Sequence, residues 1–264
     1  MPVTLMYHDV VPAEQYSTSG FAGAAADRYK LTVEQFTDHL QVLGERDLRF
    51  AKVSAVCDAA DASQLSAPLL TFDDGGLSAH TVIAGALEAR RWPGHFFITT
   101  NFVNKPGFLS SEQVRDLHRR GHVIGSHSCS HPLRISSCST GQILDEWRTS
   151  RAVLEQMIGA PVVVASVPGG FYSREVGIAA AKAGMRYLFT SEPTTRIGRV
   201  GECYVLGRFA VVSSTSPQHA ADLVCGHRAA RSRQAIYWKA RKIAKAMMGR
   251  TYLKLRSRIL EAGE

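Results

Sequence analysis

The chain lacks the cysteine pattern of a disulfide-stapled domain. Its five cysteines (Cys57, Cys129, Cys138, Cys203 and Cys225) are odd in number and no two form a Cys-x-x-Cys pair. That sets aside a disulfide framework, a zinc ribbon and a thioredoxin-like redox motif, and leaves reduced, mostly structural thiols. No apolar run approaches the ~18 residues of a membrane span. The start, MPVTLMYHDVVP, has no basic segment leading into an apolar stretch and a small-residue cleavage site, so a cytoplasmic protein is expected. Internal repeats and low-complexity segments are missing as well. What remains is 264 residues with 45% apolar content, enough for one sizeable core and too apolar for a disordered chain.

Acidic residues are missing from one stretch in particular. Between Arg228 and Arg258 stand 11 Lys and Arg and no Asp or Glu, so the net charge of +8 belongs to the C-terminal end, and the rest holds 20 basic against 23 acidic residues. The chain therefore divides into a main domain, 1–226, and a basic tail, 227–264. In the tail Ile236, Ala240, Ile243 and Met247 share a helical face while Lys239, Arg241, Lys242 and Lys245 fill much of the rest. After Gly249 the style returns with Tyr252, Leu255 and Ile259. This is a pair of basic amphipathic helices. Packing on the domain and docking of residues 231–261 on an anionic membrane at its inner face both stand open, with nucleic acid ranked last.

Through the main domain, short runs rich in Val, Ile, Leu or Phe alternate with helical patterns. Residues 3–8, 69–73, 95–99, 123–126, 161–167, 186–190 and 204–211 read as buried strands. Thr32 with Gln35 opens a helix whose Val33, Phe36, Leu40 and Leu43 share a face, and Ser110 with Gln113 opens another that Gly121 closes. A third starts near Ser139, with Leu144, Trp147, Leu154 and Ile158 as its stripe before Gly159. A fourth spans Ser173 to Gly184, and Ser216 with Pro217 opens a fifth. The alternation predicts an α/β fold of about seven mostly parallel strands, closed as a barrel or open as a doubly wound sheet, plus C-terminal basic helices. Chemistry gathers at the strand carboxyl ends in both.

At one such end stands Thr71-Phe72-Asp73-Asp74-Gly75. Adjacent carboxylates diverge at a strand end, so one can hold a cation while the other faces a substrate; a helix cap or Asx-turn is the plainer alternative. At another stands Gly125-Ser126-His127-Ser128-Cys129-Ser130-His131-Pro132, two imidazoles four residues apart in a loop or helical turn, able to clamp one metal ion. His118 and His122 share that spacing but straddle Gly121 beside Arg119 and Arg120, a solvated surface pattern. One carboxylate and two imidazoles suit a divalent ion that activates water, Zn2+ first and Co2+, Mn2+ or Ni2+ after it.

T-F-D-D-G followed about fifty residues later by H-S-C-S-H-P resembles the polysaccharide deacetylase family, also called the NodB-homology or carbohydrate esterase 4 group, over roughly residues 1–215. The resemblance implies an irregular (β/α) barrel in which Asp73 is the base and Asp74, His127 and His131 hold the metal. The family's third motif, Arg-x-Pro-aromatic-Gly, corresponds to Ser166-Val167-Pro168-Gly169-Gly170-Phe171-Tyr172, with Ser166 where an arginine belongs. Gly169 then offers the oxyanion amide and Tyr172 a substrate contact. Arg208, in Leu206-Gly207-Arg208-Phe209, is the candidate to replace the missing arginine, with a surface arginine as the alternative. The family's C-terminal Leu-x-His has no match here. Circularly permuted members open instead with a Tyr-His-Asp strand, as this chain does at Tyr7-His8-Asp9, so the resemblance makes His8 the acid that protonates the departing amine. It implies a metal-dependent hydrolase removing N-acetyl groups from an amino sugar in a polysaccharide or lipid-linked glycan. The alternatives are a related C–N hydrolase of small amides or imides, and a silent carbohydrate-binding module.

Overall fold

The computed structural model describes residues 2–57 and 67–240. In chain order the strands are β1 (Thr4–Tyr7), β2 (Val10–Val11), β3 (Leu31–Thr32), β4 (Leu69–Phe72), β5 (Gly94–Ile98), β6 (Val123–Ser126), β7 (Val164–Ser166), β8 (Tyr187–Phe189), β9 (Ile197–Val200), β10 (Cys203–Leu206) and β11 (Phe209–Ala210). The α-helices are α1 (Ala24–Asp27), α2 (Val33–Gly44), α3 (Val53–Cys57), α4 (Ala84–Glu88), α5 (Ser111–Arg119), α6 (Thr140–Ile158), α7 (Arg174–Lys182) and α8 (Pro217–Cys225). Residues 228–240 form a further helix. Among the described residues no helix is long and apolar enough to cross a membrane.

Nine strands make one sheet in the order β11-β1-β4-β5-β6-β7-β8-β10-β9, parallel throughout except for the β9–β10 hairpin. The expected strand over 204–211 is two strands, because the chain breaks at Gly207-Arg208 and crosses from β10 to β11, which lie toward opposite ends of that order. Leu206 and Phe209 are three Cα steps apart, at most about 11 Å, so the sheet must curl until β10 and β11 approach. The result is the mostly parallel α/β architecture expected, a curled sheet of nine strands. Gly207 is required at the crossing, since a Cβ there would lie 2.3 Å from the Glu192 carbonyl oxygen.

Alternation along the strands sorts residues to the two sides of this wall. Tyr7, Phe72 and Phe96 stack outward beneath Phe36 of α2, with ring centroids 5.2 to 6.1 Å apart. Leu69, Phe97, Phe189 and Leu206 form the inner cluster. Counting on by twos from Leu69 through Thr71 brings Asp73 to the inner side.

The five expected helix starts are present as read. Thr32–Gln35, Ser110–Gln113 and Ser139–Gln142 form complete capping boxes, and Ser173 and Ser216 accept from Val176 N and His219 N. Two details differ. Val33 is exposed, and His39 takes its place on the buried face of α2 by bridging the Tyr7 hydroxyl and the Thr215 carbonyl. His122 is buried rather than solvated, because its ring accepts from Gly94 N and meets Glu88, two polar partners that make burial tolerable.

The helix at 228–240 is fastened to the barrel. Ala230 is buried, Arg231 donates to the Leu223 and Val224 carbonyls at the end of α8, and Gln234 donates to Ala210 O of β11. These polar anchors, not the apolar stripe, set its rotation. Ile236, the first residue of the expected apolar stripe, is 68% exposed. The rest of the tail reading, at residues 241–261, lies outside the described residues.

Candidate active site

Asp73 and Asp74 leave β4 at the barrel mouth. Side chains of adjacent strand residues would diverge, but Asp74 sits at φ 75° and Gly75 at φ 82°, and this left-handed turn brings both carboxylates into one cavity. The next residue is constrained too: a Cβ at Gly76 would come within 2.0 Å of Asp9 Oδ1.

The histidine segment after β6 is a loop, not a helical turn, with Ser128 at φ 66° and His131 at φ 55°. Glu146 on α6 pins it by accepting from Cys129 N and Ser130 N at 2.8 Å and from Ser130 Oγ at 2.6 Å. Ser128 Oγ accepts from His131 N. His127 Nδ1 lies 3.0 Å from the Ser166 carbonyl, which can only accept, so Nδ1 carries the proton and the lone pair of the neutral ring stands at Nε2. That Nε2 is 3.3 Å from Asp74 Oδ1, and His131 Nε2 is 3.7 Å from the same oxygen.

Asp73 answers to different partners. Arg208 donates to both its oxygens, Nη1 to Oδ1 at 2.7 Å and Nη2 to Oδ2 at 2.8 Å. The guanidinium has no solvent exposure; it also donates to the Thr190 carbonyl and lies near the Phe97 and Phe189 rings. Ser166 bridges the pair, its Oγ accepting from Arg208 Nη2 at 2.7 Å and lying 3.2 Å from Asp73 Oδ2. The surface-arginine alternative for Arg208 is therefore wrong. An arginine enters from the β10–β11 crossing, and the space left at the third motif is filled by a small hydroxyl.

Electrostatics separate the groups. Burial alone would raise the Asp73 carboxyl, but the charge of Arg208, then of His127, holds it below the usual carboxylate range. Burial likewise opposes ionisation of Asp74, and the hydrogen bond with His127 and the charges of His8 and His131 overcome it, leaving that carboxyl far below its ordinary value. His127 is raised against its burial by Asp73 and Asp74. Burial and then the neighbouring His127 push His131 down to about 4.

The remaining expected residues line the same cavity. His8 directly follows β1, with its ring 4.6 Å from that of Tyr29, and its Nδ1 is buried without a hydrogen-bond partner. Gly169 sits at φ 62° at the cavity wall. Tyr172 contributes its ring, but its hydroxyl lies over Gly177 of α7 rather than over the carboxylates. Sequence reasoning missed the buried Asp9, whose Oδ1 accepts from Ser19 at 2.5 Å and from Ser78 at 2.7 Å. These bonds tie the 16–30 segment to the barrel, so Phe21 packs on His131 and Lys30 reaches the Tyr16 carbonyl. The one available signal was a carboxylate directly after His8.

Asp74, His127 and His131 each offer one ligand atom within 4.8 Å of the others. One carboxylate oxygen and two imidazole nitrogens, one with its tautomer fixed from behind, fit a divalent cation with an open coordination position.

Residues 66–188 match the family model described as polysaccharide deacetylase. In sequence the chain is similar to YxkH of Bacillus subtilis, a protein named for the same family, at 26% identity over 125 residues, 47% of this chain and 44% of that protein. It is similar also to the peptidoglycan-N-acetylmuramic acid deacetylase PdaA of that organism, at 35% over 78 residues, 29% of this chain and 28% of that protein. The match thus spans less than half the length of each. In structure it is similar to the deacetylase PplD of Streptococcus pyogenes, with a TM-score of 0.67 at 17% identity over 82% of this chain and 95% of that one. IcaB from Ammonifex degensii gives 0.68 at 22% identity over 84% and 96%. At these identities the structural likeness is one of fold.

Proposed function

We propose, from the match of residues 66–188 to the polysaccharide deacetylase (NodB-homology) family, that the chain is a metal-dependent hydrolase of that family that removes N-acetyl groups from an amino sugar in a polysaccharide or lipid-linked glycan. The observation that carries this reading is the division of labour at the end of β4: Asp74 faces His127 and His131, while Asp73 is clamped by Arg208 on the other side. Asp74, His127 and His131 would hold the cation, with Zn2+ favoured by the donor set. When bound, that ion would polarise the acetamide oxygen and lower the pKa of a water molecule.

Asp73, kept ionised by Arg208, takes the proton of the attacking water. Arg208 fixes which carboxylate lone pairs face the cavity, the part an arginine of the third motif would play. The Gly169 amide donates to the oxyanion as the carbonyl carbon becomes tetrahedral. His8, which lines the cavity, protonates the departing nitrogen. Acetate and a free amino sugar leave. In this reading residues 231–261 hold the enzyme at an anionic membrane surface on its cytoplasmic side, close to a lipid-linked or growing glycan.

The test is acetate release from N-acetylglucosamine oligomers by protein stripped with chelator and reloaded with Zn2+, Co2+, Mn2+ or Ni2+. Activity that returns with metal is expected. Turnover of small imides but of no acetylated glycan would favour the small-amide hydrolase, and no turnover of either, with metal retained, would favour the silent module.

A further inference from the structure

The cavity over the metal cluster measures about 1040 Å³, at the upper end of the ~300–1,000 Å³ typical of small-ligand pockets. One acetamido sugar leaves much of it unfilled. Aromatic residues make up only 8% of the chain, yet Phe21, Tyr29, Phe171, Tyr172, Tyr237 and Trp238 all line this space. Four of them are engaged in shaping the wall. Phe21 packs on Phe102, Phe108 and His131, Tyr29 lies beside His8, Phe171 lies under the Arg134 guanidinium, and Tyr172 rests on α7.

Tyr237 and Trp238 come from elsewhere. They stand on the helix at 228–240, after the last barrel strand and outside the segment matched by the family. Arg231 and Gln234 hold that helix by donating to main-chain carbonyls of α8 and β11 at 2.7 to 3.0 Å, so Tyr237 and Trp238 are held at the cavity wall. Tyr237 is 50% exposed at the rim, and its hydroxyl accepts from Arg28 across the opening. Flat apolar rings beside an arginine and a glutamine amide suit a sugar ring, whose C–H face stacks while its hydroxyls hydrogen-bond.

We propose that Trp238 and Tyr237 form a sugar-stacking subsite that binds a ring adjoining the one being deacetylated, which makes the enzyme selective for oligomeric glycans over single sugars. The proposal rests on the deacetylase reading above and adds to it the substrate class, a chain at least two sugars long.

It is tested on the full, metal-loaded chain by comparing kcat/KM for N-acetylglucosamine tetramer with that for the monosaccharide. In Trp238→Ala the preference for tetramer should fall about five- to tenfold, through KM on the tetramer, and Trp238→Phe, which keeps an aromatic face, should restore most of it. An unchanged preference in Trp238→Ala, or a Phe variant as poor as the Ala variant, overturns the subsite. Calorimetric titration of the tetramer into wild-type and Trp238→Ala protein separates the two readings. Wild-type protein that turns over neither sugar but binds tetramer in a Trp238-dependent way contradicts the deacetylase and keeps the subsite. Equal binding by the two proteins, or none, ends the subsite whatever the turnover.

Discussion

The floor of the cavity and its rim are built differently. The floor is made of strand ends: Asp73 and Asp74 after β4, His127 after β6, Ser166 at the end of β7, Arg208 at the β10–β11 crossing. Every charged group there has a partner within hydrogen-bond or ion-pair reach, and the main chain is locked by left-handed residues at 74, 75 and 128. The rim is made of the 16–30 segment and the helix at 228–240, held by a few long-range contacts: Asp9 with Ser19, Arg28 with Tyr237, Gln234 with Ala210. On the proposed function, the difference separates reactivity from substrate choice. Changes to the floor should abolish metal binding, turnover or folding, whereas changes to the rim should redirect or weaken binding.

The largest effect is expected at the proposed metal ligands. His127→Ala and Asp74→Ala should lose bound Zn2+ by metal analysis and bring acetate release to background; a variant that keeps a full equivalent of metal would remove that residue from the ligand set. Arg208→Ala should follow. It leaves the buried Asp73 carboxylate without its countercharge, a loss of about 3–5 kcal/mol by denaturant unfolding. Arg208→Lys, which cannot form the two-pronged contact, should fold better but with lower kcat. Unchanged stability in both would mean that the Asp73–Arg208 pair does not hold the floor.

His8→Gln probes the boundary between the two regions, since His8 directly follows a barrel strand but packs against Tyr29 of the rim. A fall in kcat of about 10²-fold or more, with metal content intact, is expected for loss of a general acid. A change confined to KM would place His8 with the rim instead. The smallest effect belongs to the tail: removing residues 241–264 should weaken flotation with anionic liposomes while glycan turnover in solution stays near wild type. Flotation that is undiminished, or absent from the start, would end the membrane reading.

Most of the floor was legible in the sequence because its groups come as local patterns. Asp73-Asp74-Gly75 and His127 to His131 each report a strand end and a chemistry within a few residues, and the serine caps and following glycines fixed the helices around them. Arg208 was legible only as a need. A buried carboxylate without the usual arginine requires another cation, but the contact spans 135 positions, and no local pattern tells a buried arginine from a surface one. The strand at 204–211 was read as continuous because apolar content does not register that Gly207-Arg208 turns the chain through the barrel mouth.

The rim was hardly legible. Asp9, Ser19 and Ser78 are brought together by the fold alone, and periodicity, which groups Ile236 with Ala240, gives no sign that Gln234 anchors the helix at 228–240. In the structure the anchoring comes from Arg231 and Gln234 satisfying main-chain carbonyls, and an apolar count does not register that bond.

The most direct test of the central claim, that Asp73 is the base beside a separate metal set, is acetate release by Asp73→Asn measured together with its metal content. The variant should hold Zn2+ as the wild type does and lose about 10²- to 10⁴-fold in kcat on N-acetylglucosamine oligomers. A variant that keeps wild-type turnover, or that loses its metal along with its activity, would contradict the division of roles between Asp73 and Asp74.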